Sequence, residues 1–455
     1  MAIETTDVVI VGVGAAGGIL AAELGKAGMK VIGLERGPRL TTEDFTPHDE
    51  LRFFQRQDLR PDVKRQPVTW RPNANTRANP LPTLGYGNQA GGGTVHYGAV
   101  SWRFHEDDFR ARSHTVERYG ASAIPQDSSL ADWPLSYADL EPYYDRAEYE
   151  LGVSGKAGNL QGNKIDGGNV FEAPRGREYP LPPLRDDQSG VIFHGAAGKL
   201  GYHPFPTPRA ILSQDYNGRP GCTYCGFCQA FGCHVGAKSS ILVTKLPEAD
   251  ATGNFKLVTG AMCYRVNSDN SGRVTGVSYY GPGGSDNTIE AELVILSPFI
   301  YDNTRLLLLS KMDKFPNGLA NSSGQVGKHL TAHMMPNVWS PSTIATSMSS
   351  WGRARRSTRL TTSTPTISTM AASGSSAARR SRSARSACRA GLSAPRPSIR
   401  RPASRAGVQL IATTSRHIMR GRRQWSPRPR TCLMPTRRSI STPMSAINGV
   451  CRRRA

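Results

Sequence analysis

Hydrophobic and polar positions near the N-terminus predict a strand, a helix and a second strand. Residues 7–11 form a short β-branched apolar run, typical of a buried parallel strand. A glycine-rich stretch follows, and residues 19–27 are rich in helix formers. After Gly28, residues 30–34 indicate a second strand that ends in Glu35. This order predicts a βαβ unit.

The glycine-rich stretch fits the G-x-G-x-x-G spacing of a dinucleotide site. Gly12 allows the tight turn, Gly14 lets a pyrophosphate approach the backbone, and Gly17 brings helix and strand close together. The phosphate charge would lie at the helix N-terminus, and the Glu35 carboxylate is suited to bind a ribose hydroxyl. A glycine-rich turn without a ligand is the alternative. The predicted site residues are Gly12, Gly14, Ala15, Ala16, Gly17, Glu35 and Arg36.

Later segments continue the α/β pattern. Residues 255–266 and 274–280 indicate two strands of a hairpin, and residues 292–296 indicate a buried strand. A second glycine-rich stretch at Gly91, Gly92 and Gly93 offers backbone without side chains, on which a planar ring system can lie. The alternative for this stretch is a bare turn.

Four segments together resemble a known family. Residues 87–104 resemble the glycine-rich first signature of the glucose-methanol-choline (GMC) flavoprotein oxidoreductases. Residues 133–148, 236–247 and 318–329 resemble three further segments of that family. The resemblance covers residues 5–339, and it is greatest to the gluconate 2-dehydrogenase and sugar dehydrogenase flavoprotein subunits.

The resemblance implies an FAD-binding Rossmann-like domain of the GMC type, with an α+β substrate domain that is incomplete here. It implies an FAD-dependent oxidoreductase that oxidises a CH–OH group of a sugar, sugar acid or polyol and passes electrons to a cytochrome or quinone. An oxygen-using alcohol oxidase of the same fold is the alternative. The implied partners are a cytochrome c subunit and a small signal-bearing subunit. The implied FAD contacts are Gly91, Gly92, Gly93, Thr94, His96 and, beside the adenine, Cys263.

Four cysteines lie close together in a Cys-rich insert, residues 219–236. Their spacing is near that of bacterial ferredoxins, although the last gap is one residue longer. The resemblance implies an iron–sulfur cluster that passes electrons from flavin to a cytochrome. Disulfides, a zinc site and free thiols remain as alternatives. The predicted metal ligands are Cys222, Cys225, Cys228 and Cys233.

Composition divides the 455-residue chain into two unlike parts. The net charge of +22 ordinarily points to nucleic acid or an anionic membrane. Residues 341–455, however, contain 24 arginines and no Lys, Asp or Glu, which leaves a net charge of −2 on the first 340 residues. The main part of the chain is therefore near neutral, and we expect no nucleic-acid binding by it.

Targeting signals are weak in this sequence. Glu4 and Asp7 precede the first apolar run, where a secretory signal would carry basic residues. No apolar run reaches the ~20 residues of a membrane-spanning helix. We expect membrane attachment only through partners, in either a cytoplasmic location or a periplasmic one reached by export with a partner.

Residues 340–455 are interpreted as out-of-frame sequence that is disordered. Many arginines without any lysine are natural for GC-rich DNA read in the wrong frame, and a frameshift near Trp339 accounts for this composition. The family places its catalytic His in this region, and His333 before it is interpreted as structural. We therefore assign no catalytic residue and expect the chain as written to be poorly soluble and inactive. The rival hypothesis is a non-enzymatic basic protein whose tail binds nucleic acid.

Overall fold

A computed structural model describes residues 3–47, 49–64, 66–81 and 86–331, and the backbone of residues 358–361. His333 lies outside the described residues, as does the arginine-rich region apart from the backbone of residues 358–361. The strands are β1 Ile3–Val11, β2 Val31–Glu35, β3 Thr69–Trp70, β4 Asn79–Pro80, β5 Asn159–Leu160, β6 Asn163–Lys164, β7 His203–Pro206, β8 Phe255–Thr259, β9 Met262–Ser268, β10 Val274–Tyr280, β11 Asp286–Leu296 and β12 Thr358–Thr361. The α-helices are α1 Ala15–Lys26, α2 Glu106–Phe109, α3 Ala111–Tyr119, α4 Tyr137–Leu151, α5 Gln188–Lys199, α6 Lys245–Ala251 and α7 Ile300–Leu309.

A six-stranded sheet in the order β8-β2-β1-β11-β10-β9 forms the centre of the described structure. Strand β1 pairs in parallel with both β2 and β11, and β2 pairs in parallel with β8. Strands β9 and β10 extend the sheet by antiparallel pairing beyond β11. The sheet is therefore mixed and mostly parallel near β1, which confirms the predicted α/β class.

The second half of β1, residues 8–11, is buried on both faces of the sheet, as its apolar run predicts. Val9 packs into a cluster with Ile32 and Ile289 on one face of the sheet. Val8 and Ile10 alternate with it and pack on the other face, against small residues of the covering helices. The helix residues in this second cluster are Ala21 and Ala22 of α1 and Ala249 of α6.

The predicted strand 255–266 is two strands: residues 255–259 form β8, which pairs with β2, whereas β9 pairs with β10 in the predicted hairpin. Gly260 has a φ of +65°, a left-handed conformation that turns the chain after β8. The Ala261 amide then donates to the Glu35 carbonyl oxygen at 2.9 Å. As a result β8 extends the parallel side of the sheet, β9 joins the antiparallel side, and Cys263 lies near the end of β2.

Helix α1 begins at Ala15, four residues earlier than predicted. The first turn contains Gly17 and Gly18, and a Cβ atom on Gly18 would lie 2.1 Å from Ile241 Cγ2. Two glycines lower the helix propensity of this turn, but they allow close packing against Ile241.

No helix in the described part of the chain is long and apolar enough to cross a membrane.

Candidate functional site

A cavity of about 510 Å³ opens at the carboxyl ends of β1, β2 and β11. This end of an open parallel sheet is where nucleotides bind in doubly wound folds. Both glycine-rich stretches reach the cavity, although they are far apart in the sequence. The sequence-predicted residues that line it are Gly12, Gly14, Ala15, Ala16, Glu35, Arg36, Gly92, Gly93, Thr94 and Cys263.

Three predicted residues do not line the cavity and support or flank it instead. A Cβ atom on Gly17 would lie 2.1 Å from the Gly12 carbonyl oxygen, so Gly17 lets α1 pack against the turn. The Gly91 amide donates to the Val13 carbonyl oxygen at 2.8 Å and joins the two glycine-rich stretches. The side chain of His96 is buried, and His96 is absent from the cavity wall.

Gly12 and Gly14 have different structural roles. Gly12 has a φ of +84°, and a Cβ atom there would lie 2.4 Å from Pro298 Cα. A Cβ atom on Gly14 would meet nothing nearer than Gly92 Cα at 3.8 Å. Gly12 is therefore required by the backbone, whereas Gly14 leaves open the space that a bound pyrophosphate needs.

Glu35 is held rigidly at the end of β2. Its carboxylate accepts hydrogen bonds from the Val13 amide at 3.1 Å and from the Gly37 amide at 2.8 Å. Burial raises the pKa of Glu35, and the two backbone donors oppose that shift. The fixed carboxylate faces the cavity and can accept a hydrogen bond from a sugar hydroxyl.

The chain after β11 completes the cavity wall. Asp302 of α7 accepts from Arg36 Nη1 at 3.2 Å, and Arg36 Nη2 donates to the Tyr86 hydroxyl at 3.0 Å. The Tyr86 ring stacks on Phe299 with centroids 5.3 Å apart. Arg36 is a predicted site residue, whereas Tyr86, Phe299, Asp302 and Asn303 are absent from the sequence prediction. For the three residues after β11, the available signal was their position directly after the predicted strand 292–296, at the end of a parallel strand.

The predicted iron–sulfur site is not supported. In the described part of the chain, no group of three or more His, Cys, Asp or Glu residues is placed to hold a metal ion. Cys222 and Cys228 pack in one hydrophobic cluster, and burial raises their pKa values to about 11 and about 12. Metal ligation needs thiolates, and this apolar packing favours neutral thiols. All four cysteines of the insert are free thiols.

A buried lysine joins the cysteine-rich loop to the second glycine-rich stretch. Lys238 Nζ donates to the carbonyl oxygens of Cys228 and Phe231, each at 2.7 Å, and of Tyr97 at 3.2 Å. Burial lowers the pKa of Lys238 to about 8, so the ammonium form prevails at neutral pH. Because Tyr97 lines the cavity, Lys238 links the loop to the cavity wall.

His96 is expected to make the fold sensitive to acid. Among the described residues neither of its buried ring nitrogens has a hydrogen-bond partner, and burial lowers the pKa of His96 to about 4. Between pH 6.5 and 4 the unfolded chain therefore binds a proton that the folded chain does not, and stability falls as pH falls. We expect the loss to be about 2–3 kcal/mol by pH 4. Urea unfolding between pH 7.5 and pH 4 measures it.

The controls for this prediction are two substitutions. His96→Leu should remove most of the pH dependence, whereas His194→Gln, at an exposed position, should leave it unchanged. An unfolding free energy that falls equally in wild type and His96→Leu would contradict the prediction.

A family model described as GMC oxidoreductase matches residues 71–335. The chain belongs to the GMC oxidoreductase family. This finding confirms the resemblance predicted from residues 87–104 and its companion segments. Membership of the GMC family supports FAD as the cofactor and oxidoreductase as the class of enzyme.

Curated relatives of this GMC chain include two proteins named as dehydrogenases and one named as an oxidase. It is 36% identical to a gluconate 2-dehydrogenase flavoprotein from Pantoea cypripedii, over 72% of this chain and 56% of the relative. It is 30% identical to a fructose dehydrogenase large subunit from Gluconobacter japonicus, over 72% and 58%. It is 31% identical to a paromamine 6'-oxidase from Streptomyces fradiae, over 73% and 54%. The chain thus spans somewhat more than half the length of these relatives.

Among solved structures, the GMC chain is similar to a pyridoxine 4-oxidase from Mesorbium loti. The identity is 18%, the TM-score is 0.40, and the match covers 67% of this chain and 52% of the other.

The residues of the cavity fit FAD. Gly14 and Gly92 leave backbone exposed for a pyrophosphate, and the Glu35 carboxylate can bind a ribose hydroxyl. The described residues of the GMC chain therefore form a cavity whose lining suits a dinucleotide.

Proposed function

We propose that this chain binds FAD in the cavity and that its complete form oxidises a CH–OH group of a sugar, sugar acid or polyol. The observation that carries the proposal is the meeting of both glycine-rich stretches and Glu35 around one cavity. The gluconate and fructose dehydrogenase relatives support the substrate class. The name of the fructose dehydrogenase large subunit supports a partner subunit, and we propose that the electrons pass to a cytochrome or quinone acceptor.

The described residues position the cofactor. Bound FAD supplies the hydride acceptor for the alcohol carbon. Gly12 and Gly14 shape the phosphate turn at the N-terminus of α1, whose partial positive charge favours the phosphates. Glu35 orients the adenosine half of FAD, and Gly92, Gly93 and Thr94 of the second glycine-rich stretch provide another part of the cavity wall.

Proton removal from the alcohol needs a base, and we assign none among the described residues. We propose that the base belongs to the C-terminal region of the complete protein and that residues 340–455 replace it through a frameshift. The share of each relative covered, 54–58%, supports this proposal. The chain as written is then a cofactor-binding but inactive protein.

A frame-repaired chain tests the function separately from cofactor binding. The chain as written, refolded by dilution where it is insoluble, should bind FAD but show no bleaching of the flavin bands by gluconate, fructose or polyols without oxygen. The chain translated in the other frame from codon 339 should bind FAD and bleach with at least one of these alcohols. Bleaching by the chain as written would overturn the inactivity. No bleaching by the repaired chain would overturn the proposed substrate class.

An oxidase is the second candidate function. The 31% identity to paromamine 6'-oxidase favours it. Oxygen consumption by the repaired chain, compared with reduction of a quinone or cytochrome c, distinguishes an oxidase from a dehydrogenase.

A further inference from the structure

Phe299 combines a strained backbone with a position in the cavity wall. Its φ of +79° and ψ of +157° lie in a region that residues other than glycine rarely adopt. Of the non-glycine residues with a positive φ in the described part of the chain, Phe299 is the one that lines the cavity. Such strain persists only where the surrounding structure imposes it, and it is concentrated at functional sites. The conformation of Phe299 therefore needs an explanation.

Neighbouring segments fix Phe299 on both sides. Ser297 donates from its amide to the Val11 carbonyl oxygen at 2.8 Å and from its hydroxyl to the Gly12 carbonyl oxygen at 2.7 Å. On the other side, the Asn303 amide donates to the Phe299 carbonyl oxygen at 2.9 Å, in the first turn of α7. The path of the chain between the glycine turn and α7 thus sets where the Phe299 ring lies.

Burial of the Phe299 ring does not explain the strain. The ring stacks on Tyr86 with centroids 5.3 Å apart and planes 21° apart, and it meets the Tyr301 ring in an edge contact with centroids 5.0 Å apart. Even with these partners, 41% of the surface of Phe299 remains accessible. An aromatic ring that stays accessible in a cavity offers a stacking surface to a planar heterocycle bound there.

The contacts of Tyr86 place the Phe299 ring at the adenosine end of the cavity. The Tyr86 hydroxyl accepts from Arg36 Nη2 at 3.0 Å, and Arg36 directly follows Glu35, which is suited to bind the ribose. We propose that the Phe299 ring stacks on the adenine of FAD and that its strained backbone is retained because it holds the ring in that place. This inference rests on the proposed FAD function.

The test measures the binding of two probes to the full chain, FAD by quenching of flavin fluorescence and ADP by displacement of FAD. ADP carries the adenosine half without the flavin. Phe299→Leu should weaken the binding of both probes by the same factor, roughly 10- to 100-fold, the range expected for loss of one stacked base. Phe299→Tyr should bind both probes like wild type, because it keeps the ring.

Phe104→Leu is the matched control, because Phe104 is 40% accessible and is absent from the cavity wall. It should bind FAD and ADP like wild type. Two further variants lack the ring and separate the strain from the stacking. Phe299→Gly should unfold at a higher temperature than Phe299→Ala, because glycine adopts this backbone conformation without strain. Both should bind FAD as weakly as Phe299→Leu does.

Several results would overturn the inference alone while wild type still binds FAD. One is a Phe299→Leu variant whose FAD binding is unchanged, or is weakened without an equal effect on ADP. Others are weakened binding in Phe299→Tyr, equal unfolding temperatures of Phe299→Gly and Phe299→Ala, and no displacement of FAD by ADP in wild type. Failure of wild type to bind FAD would overturn the proposed function and the inference with it.

Discussion

Gly14→Ala is expected to weaken FAD binding by about 100-fold while leaving the stability of the chain near that of wild type. The added methyl group would meet no described atom nearer than Gly92 Cα at 3.8 Å, so the fold has room for it. That room is the cavity, where the pyrophosphate must approach the backbone. Titration with FAD by fluorescence quenching and thermal unfolding of the same samples measure both effects.

Two other glycines serve as matched controls. Gly28 has a φ of +86° with nothing within 4 Å of a Cβ atom, so Gly28→Ala should cost about 1 kcal/mol of stability and leave FAD binding unchanged. Gly12→Ala adds the same backbone strain, and its Cβ atom would also lie only 2.4 Å from Pro298 Cα. Gly12→Ala should therefore impair both folding and FAD binding. If Gly14→Ala binds FAD as tightly as wild type does, the pyrophosphate does not approach the backbone at Gly14 and the prediction is contradicted.

Lys238→Met is expected to destabilise the chain by about 3–5 kcal/mol. The substitution keeps the length of the side chain but removes the donor to three buried carbonyl oxygens, those of Tyr97, Cys228 and Phe231. The cysteine-rich loop should also loosen, and its thiols should react faster with Ellman's reagent. Urea unfolding and the rate of thiol modification measure the two effects.

Lys256→Met is the matched control for the buried lysine. Lys256 is an exposed lysine that pairs with Glu4 at 2.5 Å, and an exposed ion pair contributes less than about 1 kcal/mol. Equal stability and equal thiol reactivity of the two variants would show that Lys238 does not hold the loop.

The cysteine-rich loop shows where spacing is an incomplete guide. The spacing of Cys222, Cys225, Cys228 and Cys233 is close to that of a ferredoxin, but spacing does not say which side of the loop each thiol faces. In the structure Cys222 and Cys228 turn into an apolar cluster with Ile211 and Tyr179. Burial in that cluster, which depends on residues distant in sequence, favours neutral thiols at Cys222 and Cys228 and leaves the predicted metal site without support.

The strand predicted over residues 255–266 shows a similar limit. Its composition is typical of a strand throughout, and only the left-handed turn at Gly260 separates β8 from β9. The turn is stabilised by a hydrogen bond from Ala261 to Glu35, a partner more than 200 residues away. Local propensity contains no information about such a partner.

The sequence by itself determined the βαβ unit, its glycine turn and the acidic residue after β2, because these depend on short-range periodicity and on backbone space at Gly12 and Gly14. The family followed from the resemblance of residues 87–104 and three further segments. Only the tertiary structure decided which residues share the cavity. Asp302 and Asn303 reach it because α7 follows a strand that pairs with β1, and His96 is turned away from it. Such neighbours are set by strand order and packing, which act between residues far apart in the chain.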